Sequence, residues 1–126
     1  MLNAANSLRR LRGFLLAEAG LLVAASLVHS GLMLQGHAHS QARIAEAVIA
    51  VVLLAAWALS FVWPMRTRQL ALLAQAFALI GTLVGLSTII IGIGPQSAPD
   101  KVFHFALLGL LLVGLRVARR APKNAS

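Results

Sequence analysis

Seven ionisable side chains other than Lys and Arg could carry out chemistry in this 126-residue chain. They are four histidines and three carboxylic acids: His29, His37, His39, His104, Glu18, Glu46 and Asp100. Imidazole and carboxylate together suit a divalent transition metal such as zinc, nickel or cobalt. They equally suit proton handling, because a free histidine titrates near about pH 6.5 and a neighbouring carboxylate tunes it. Both chemistries are considered for these residues.

The spacing of these residues groups several of them. Asp100 and His104 are four residues apart, so they share a face if they lie on a helix. His37 and His39 are separated by one residue in a polar segment. Glu18 and His29 are eleven residues apart, about three helical turns, and therefore lie on one stripe.

Each group also has an ordinary structural explanation. Ser97-x-x-Asp100 before an apolar run resembles a helix capping box. Glu46 could pair with Arg43 three residues earlier, and His37 and His39 could be solvated loop residues. His29 and His104 could each make a structural hydrogen bond to a neighbouring helix. A chemical role therefore depends on whether the fold brings these groups together.

The composition indicates that lipid surrounds the elements that carry these residues. Of all residues, 60% are hydrophobic and 11% are charged, whereas a soluble domain has about a quarter charged. A helix needs about 20 mainly apolar residues to cross a bilayer. Four segments qualify: about Gly13–Leu34, Ile44–Trp63, Gln69–Ile91 and Lys101–Ala118. The sequence predicts an all-α, antiparallel bundle of four transmembrane helices in one domain, residues 1–126.

The distribution of Lys and Arg predicts that both chain ends are cytoplasmic. With that orientation nine of the eleven basic residues lie inside, and only Arg43 and Lys101 lie outside. Basic residues in short loops are typically cytoplasmic. All four histidines, with Glu46 and Asp100, then fall in the outer half or the outer loops. Antiparallel packing would bring His29, Glu46 and His104 to one level.

Glu18 is the one carboxylic acid predicted deep in the inner half. An ionised carboxylate in the bilayer centre costs about 2.5–3.5 kcal/mol on insertion scales. Glu18 is therefore expected to face the bundle interior, to be protonated, or to reach Arg12 and the interface.

A stripe of small residues runs along the third span. Its members, at three- and four-residue spacing, are Ala71, Ala74, Ala78, Gly81, Gly85, Thr88 and Gly92. Helices in membranes associate through such close packing. We therefore predict that Gly81, Gly85 and Gly92 pack against another helix, either in this chain or in a second one.

Two short stretches resemble known families. Leu16-Ala17-Glu18, in a four-span chain, resembles the first helix of the small multidrug resistance transporters, and this resemblance implies that Glu18 can be protonated. The segment from Phe77 through Gly94-Pro95, with Pro99-Asp100 and His104, looks like a group of small uncharacterised bacterial four-helix membrane proteins. That likeness implies a multi-pass protein of the bacterial inner (plasma) membrane.

Three classes of function follow from these observations. The first expectation is a non-catalytic accessory or scaffold subunit that self-associates or docks within the bilayer onto a larger membrane complex. The second is binding or transport of a metal ion or proton by the outer histidines and carboxylates. The third is a haem ligated by His29 and His104 in the bundle core. No nucleophile–base arrangement, phosphate loop or HExxH motif points to an enzyme, and the basic residues lie at the ends of apolar runs, which argues against nucleic acid.

Overall fold

Residues 2–123 fold into four α-helices. The computed structural model describes residues 2–123, with the side chains of residues 4–123, so residue 1 and residues 124–126 of the predicted domain lie outside the described residues. The helices are α1 (Leu2–His29), α2 (Ser40–Val62), α3 (Thr67–Ile90) and α4 (Ala98–Arg120), and a 3₁₀ turn, Pro64–Arg66, joins α2 to α3. Residues 2–123 contain no strand. The predicted all-α class is confirmed.

Each helix contains a segment that is long and apolar enough to cross a membrane. These segments are Ala4–His29, Ser40–Val62, Pro64–Ile90 and Ala98–Arg120, the third including the 3₁₀ turn. Each of the four predicted spans falls mainly on one of them. Large apolar side chains such as Leu73, Ile90 and Val102 are exposed on the outside of the fold, where lipid would cover them.

Helix α1 ends five residues before the predicted end of the first span. Gly31 adopts a positive φ of 77°, which glycine reaches without steric cost, and its amide donates to the carbonyl of Val28 at 3.1 Å. Leu32, Met33 and Leu34 continue the apolar run in sequence, but they lie in the loop and are exposed. His29 is therefore the last residue of α1, instead of lying one turn below its end.

The other helix ends follow local sequence signals. Pro64 stops α2, because it has no amide hydrogen to continue the helix. The capping box at the start of α4 is also confirmed, since the Asp100 amide donates to the Ser97 hydroxyl and the Ser97 amide donates to Asp100 Oδ2. The capping box fixes the start of α4 and places Asp100 in its first turn.

The interior joins all four helices. Its fully buried side chains include Leu15 and Leu22 of α1, Leu53 of α2 and Leu111 of α4. Polar contacts join α1 and α2 at both ends of the pair. At one end Arg12 of α1 donates to the Ser60 carbonyl of α2 at 2.7 Å, and at the other the Ser26 hydroxyl of α1 donates to the Arg43 carbonyl of α2 at 2.9 Å.

The small-residue stripe of α3 packs inside this chain. Ala71, Ala74 and Ala78 are buried. A Cβ placed at Gly81 would meet the Ile49 side chain of α2, and one at Gly85 would lie 3.2 Å from His104 Nε2 of α4. The prediction for Gly92 is wrong, because this residue lies beyond α3 with a φ of 83°, and a Cβ there would meet no atom within 4 Å. Gly92 turns the chain instead of packing a helix.

A polar pair is enclosed in the core. Gln75 Nε2 of α3 lies 3.0 Å from Oε1 and 3.2 Å from Oε2 of Glu18, and both side chains are fully buried. Gly114 of α4 covers this pair, since a Cβ at position 114 would collide with both side chains. α4 can therefore approach the Glu18–Gln75 pair closely only because residue 114 is a glycine.

We predict that Gly114→Ala destabilises the protein and that Gly109→Ala, on the same helix, does not. The alanine at position 114 must displace the buried Glu18–Gln75 pair, which we expect to lower the free energy of unfolding by about 1–3 kcal/mol. At Gly109 a Cβ would meet nothing within 4 Å, so the higher helix propensity of alanine should leave stability unchanged or raise it by about 0.5–1 kcal/mol. Unfolding in mixed micelles measures both. Equal effects of the two substitutions would contradict this packing.

Candidate functional site

One buried imidazole bridges two carboxyl groups from different helices. His29 Nδ1 lies 2.8 Å from Glu46 Oε2, and His29 Nε2 lies 3.0 Å from Asp100 Oδ1. His29 is 3% exposed, Glu46 5% and Asp100 8%. These three residues, called the triad below, join the end of α1 to the second turn of α2 and the first turn of α4.

Local structure around the triad fixes each of its members. His29 sits at the end of α1, where its carbonyl accepts a hydrogen bond from the His39 amide at 2.8 Å. His39 in turn caps α2, because its Nδ1 accepts from the Ala42 amide at 3.2 Å, and this places Glu46 on the face toward α1. Asp100 uses Oδ2 in the capping box and thereby presents Oδ1 to His29.

The hydrogen bonds determine how many protons the triad must hold. Each of the two contacts of His29 requires one proton between nitrogen and oxygen. If these two protons are the only ones present, the triad is either an imidazolium between two carboxylates or a neutral imidazole between one carboxylate and one carboxylic acid. Both arrangements carry a net charge of −1, so this count does not depend on where the protons sit.

One carboxyl oxygen of the triad has no partner. Glu46 Oε1 is buried and makes no hydrogen bond within the described residues. The second oxygen of Asp100, in contrast, accepts from the Ser97 amide and contacts the Ser97 hydroxyl. A third proton would therefore find its vacant position on Glu46 Oε1, and it would bring the triad to zero charge.

Glu46 is among the residues that line a cavity of about 420 Å³. The cavity lies between α2 and α3, and Glu46, His39 and His104 are among its polar lining residues. Most of its wall is apolar, formed by side chains such as Ile49 and Leu107. Because other apolar lining residues are exposed, the cavity reaches the outside of the fold between these two helices.

The remaining predicted residues lie around the triad without completing it. His104 does not contact His29, because its Nδ1 donates to the Asp100 carbonyl at 2.8 Å. The second partner of His29 is the carboxyl group of Asp100. The ring of His39 lies 6.5 Å from that of His29. His37 is partly exposed in the loop and makes no side-chain hydrogen bond among residues 2–123. Glu46 contacts His29 instead of Arg43.

The arrangement lends no geometric support to a metal or haem site. Among residues 2–123, no group of three or more histidine and carboxylate side chains is arranged to hold a metal ion. His29 has both ring nitrogens hydrogen-bonded to carboxyl oxygens, so neither is free to ligate haem iron. Nε2 of His104 is the ring nitrogen left toward Gly85 and the cavity.

Glu18 faces the interior, which is one of the three outcomes expected for it, and its hydrogen-bond partner was not predicted. Its partner Gln75 is an amide within an apolar span, and its position four residues after Ala71 on the small-residue stripe could have identified it. Arg12 does not reach Glu18, because its guanidinium binds Ser60 and lies 4.1 Å from the centre of the Phe61 ring.

Comparison with known proteins gives no relative. No protein-family model, no curated protein and no solved structure matches the chain.

We predict that His29→Ala is strongly destabilising and that His37→Ala is nearly neutral. Removing His29 leaves two buried carboxyl groups without their shared partner, which typically costs about 3–5 kcal/mol. His37 makes no such contact, so its replacement should change the free energy of unfolding by less than about 0.5 kcal/mol. Denaturant titration of the purified variants measures both. Similar losses for the two variants would show that the triad does not stabilise the fold.

Proposed function

We propose that the protein is an antiparallel four-helix protein of the bacterial inner membrane with both ends in the cytoplasm. Two contacts support the opposite directions of α1 and α2: Arg12 binds Ser60 at one end of the pair, and His29 binds Glu46 at the other. The nine-to-two distribution of basic residues supports the orientation. The triad then lies near the outer leaflet.

Cysteine labelling tests this orientation, because the natural chain contains no cysteine. Gln35→Cys and Met65→Cys place a single thiol at exposed positions in the first and second connections, and neither changes the charge. A membrane-impermeant maleimide added to intact cells should label Cys at position 35 but not at position 65. Both should be labelled after permeabilisation. The reverse pattern would invert the topology and place the triad on the cytoplasmic side.

The function that the geometry supports best is proton exchange at the triad, near the outer face of the membrane. The observation that carries this proposal is the buried imidazole held between two carboxyl groups, one of which keeps a vacant oxygen. Intramembrane ionisable residues are costly and are usually functional. The oxygen of Glu46 without a hydrogen-bond partner adds to that cost.

The residues around the triad support proton binding at the triad better than proton conduction from one side of the protein to the other. Glu18 is the next carboxyl group on α1, and the side chains that separate it from His29 on that face include Leu22 and Ala25, both buried and apolar. The cavity beside Glu46, in contrast, gives the triad a route to the outside of the fold. We therefore propose exchange through the cavity.

The accessory or scaffold role stays a prediction. It was suggested by the small-residue stripe of α3, and this stripe is used for contacts with α2 and α4 within the chain. Self-association or docking onto a larger complex would have to use another surface.

Infrared difference spectroscopy tests proton exchange directly. Between about pH 5 and about pH 8, where histidine-linked groups titrate, we expect carboxyl and imidazole bands that correspond to about one proton per chain. Glu46→Gln should abolish the carboxyl part, because it removes the vacant acceptor. Glu18→Gln, which changes a buried acid outside the triad, should preserve it.

Two further histidines, His39 and His104, line the cavity beside the triad and serve as controls. Their single alanine variants should keep the carboxyl bands. If the wild type shows no carboxyl change over this range, or if Glu46→Gln leaves the change intact, the triad is a static bridge and the proposal is wrong.

A further inference from the structure

We infer that the cavity between α2 and α3 binds an amphipathic alkylammonium ion, whose N–H groups contact Glu46 and whose chain lies against the apolar wall. The inference rests on the proposed function in one respect, since it uses the negative charge of the triad. It goes further in assigning a ligand class to the cavity. Three separate features of the cavity support this assignment.

The first feature is a missing hydrogen-bond donor. Glu46 lines the cavity, is 95% buried by residue and has no partner for Oε1 within the described chain. A buried acceptor without a donor is costly in a folded protein. Nε2 of His104 lines the same cavity and offers a second polar contact. Because both side chains line the cavity, an amine seated there would bring N–H donors next to Glu46 and His104.

The second feature is charge. The triad carries −1 when it holds only the two protons of its hydrogen bonds, and the described residues that line the cavity include no Lys or Arg. A buried charge without a counter-ion is unfavourable in an apolar surrounding. A singly charged cation in the cavity would neutralise it. A phospholipid is a poorer fit, because its phosphate would find no basic side chain on this wall.

The third feature is the apolar path into the cavity. Three apolar lining residues are exposed at its rim: Val48 by 49%, Phe77 by 46% and Val84 by 58%. The inner wall includes Leu22 and Leu107, which are buried. A volume of about 420 Å³ is within the range of about 300–1,000 Å³ typical of small-molecule sites. A ligand with an alkyl chain could therefore enter between α2 and α3 from the surrounding lipid.

Competition binding to the purified protein in nanodiscs tests the ligand class. The probe is radiolabelled n-decylamine, and the competitors are n-decylamine, n-decanol and decyltrimethylammonium. We expect saturable binding, with n-decanol weaker by about tenfold or more because it lacks the charge. Decyltrimethylammonium should fall between the two, since it has the charge but no N–H donor. Binding that does not saturate, or equal affinity for the amine and the alcohol, would overturn the inference.

Substitutions locate the site. Glu46→Gln should weaken n-decylamine binding by about 10- to 100-fold, as expected for loss of a charged hydrogen bond. Val84→Trp should block the rim without touching the triad. Its matched control is Leu73→Trp, an exposed position about three turns away on the same face of α3, which should bind like the wild type. Val84→Trp tests the site even if Glu46→Gln fails to fold. Unchanged binding in Val84→Trp would place the ligand elsewhere and refute the assignment.

The two proposals fail in different ways. If amine binding follows the pattern above but the infrared spectra show no proton exchange, the cavity assignment stands and the proposed function falls. If the triad exchanges a proton but n-decylamine does not bind in the cavity, proton exchange stands and the ligand assignment falls.

Discussion

The rest of the structure depends on a single imidazole that two carboxyl groups share. Helices in lipid gain little hydrophobic free energy from one another, so polar contacts and close packing must fix their arrangement. His29 bonds to Glu46 on one side and to Asp100 on the other, and it thereby holds the ends of α1, α2 and α4 together. Sliding any of the three helices by one turn would separate these groups.

The helix ends make this bridge possible. Gly31 ends α1 directly after His29, and the Ser97–Asp100 capping box starts α4 where the carboxyl group is needed. Asp100 serves two purposes, since one oxygen caps its own helix and the other binds the imidazole. An ordinary capping residue and a site residue are thus the same residue, and the two interpretations of the Ser97-x-x-Asp100 motif do not exclude each other.

The sequence predicted the parts that local signals determine. Hydropathy located the four apolar segments, Pro64 and the capping box marked helix ends, and the placement of His29 level with Glu46 was correct. The early end of α1 was missed because Leu32–Leu34 continue the apolar run and conceal the glycine turn. The sequence limited the candidate partners of His29 and Glu18 to a few residues but did not identify them. Periodicity assigns a residue to one face of its own helix, and it does not determine how that helix is rotated against its neighbours. Gln75, Asp100 as a bridge, and the contact of Arg12 with Ser60 all depend on that rotation.

The chain holds two buried glutamates, Glu18 and Glu46, which differ in their hydrogen-bond partners and in their access to the cavity. Glu18 is paired with an amide that cannot titrate, is enclosed beneath Gly114, and is not among the residues that line the cavity. Glu46 is paired with an imidazole, has one buried oxygen without a hydrogen-bond partner, and is among the residues that line a cavity reaching the surface. Exchange requires both a titratable partner and access, and only Glu46 of this pair has them. The glutamate that a short sequence resemblance would select is therefore the enclosed one, and the proposed proton exchange involves the other.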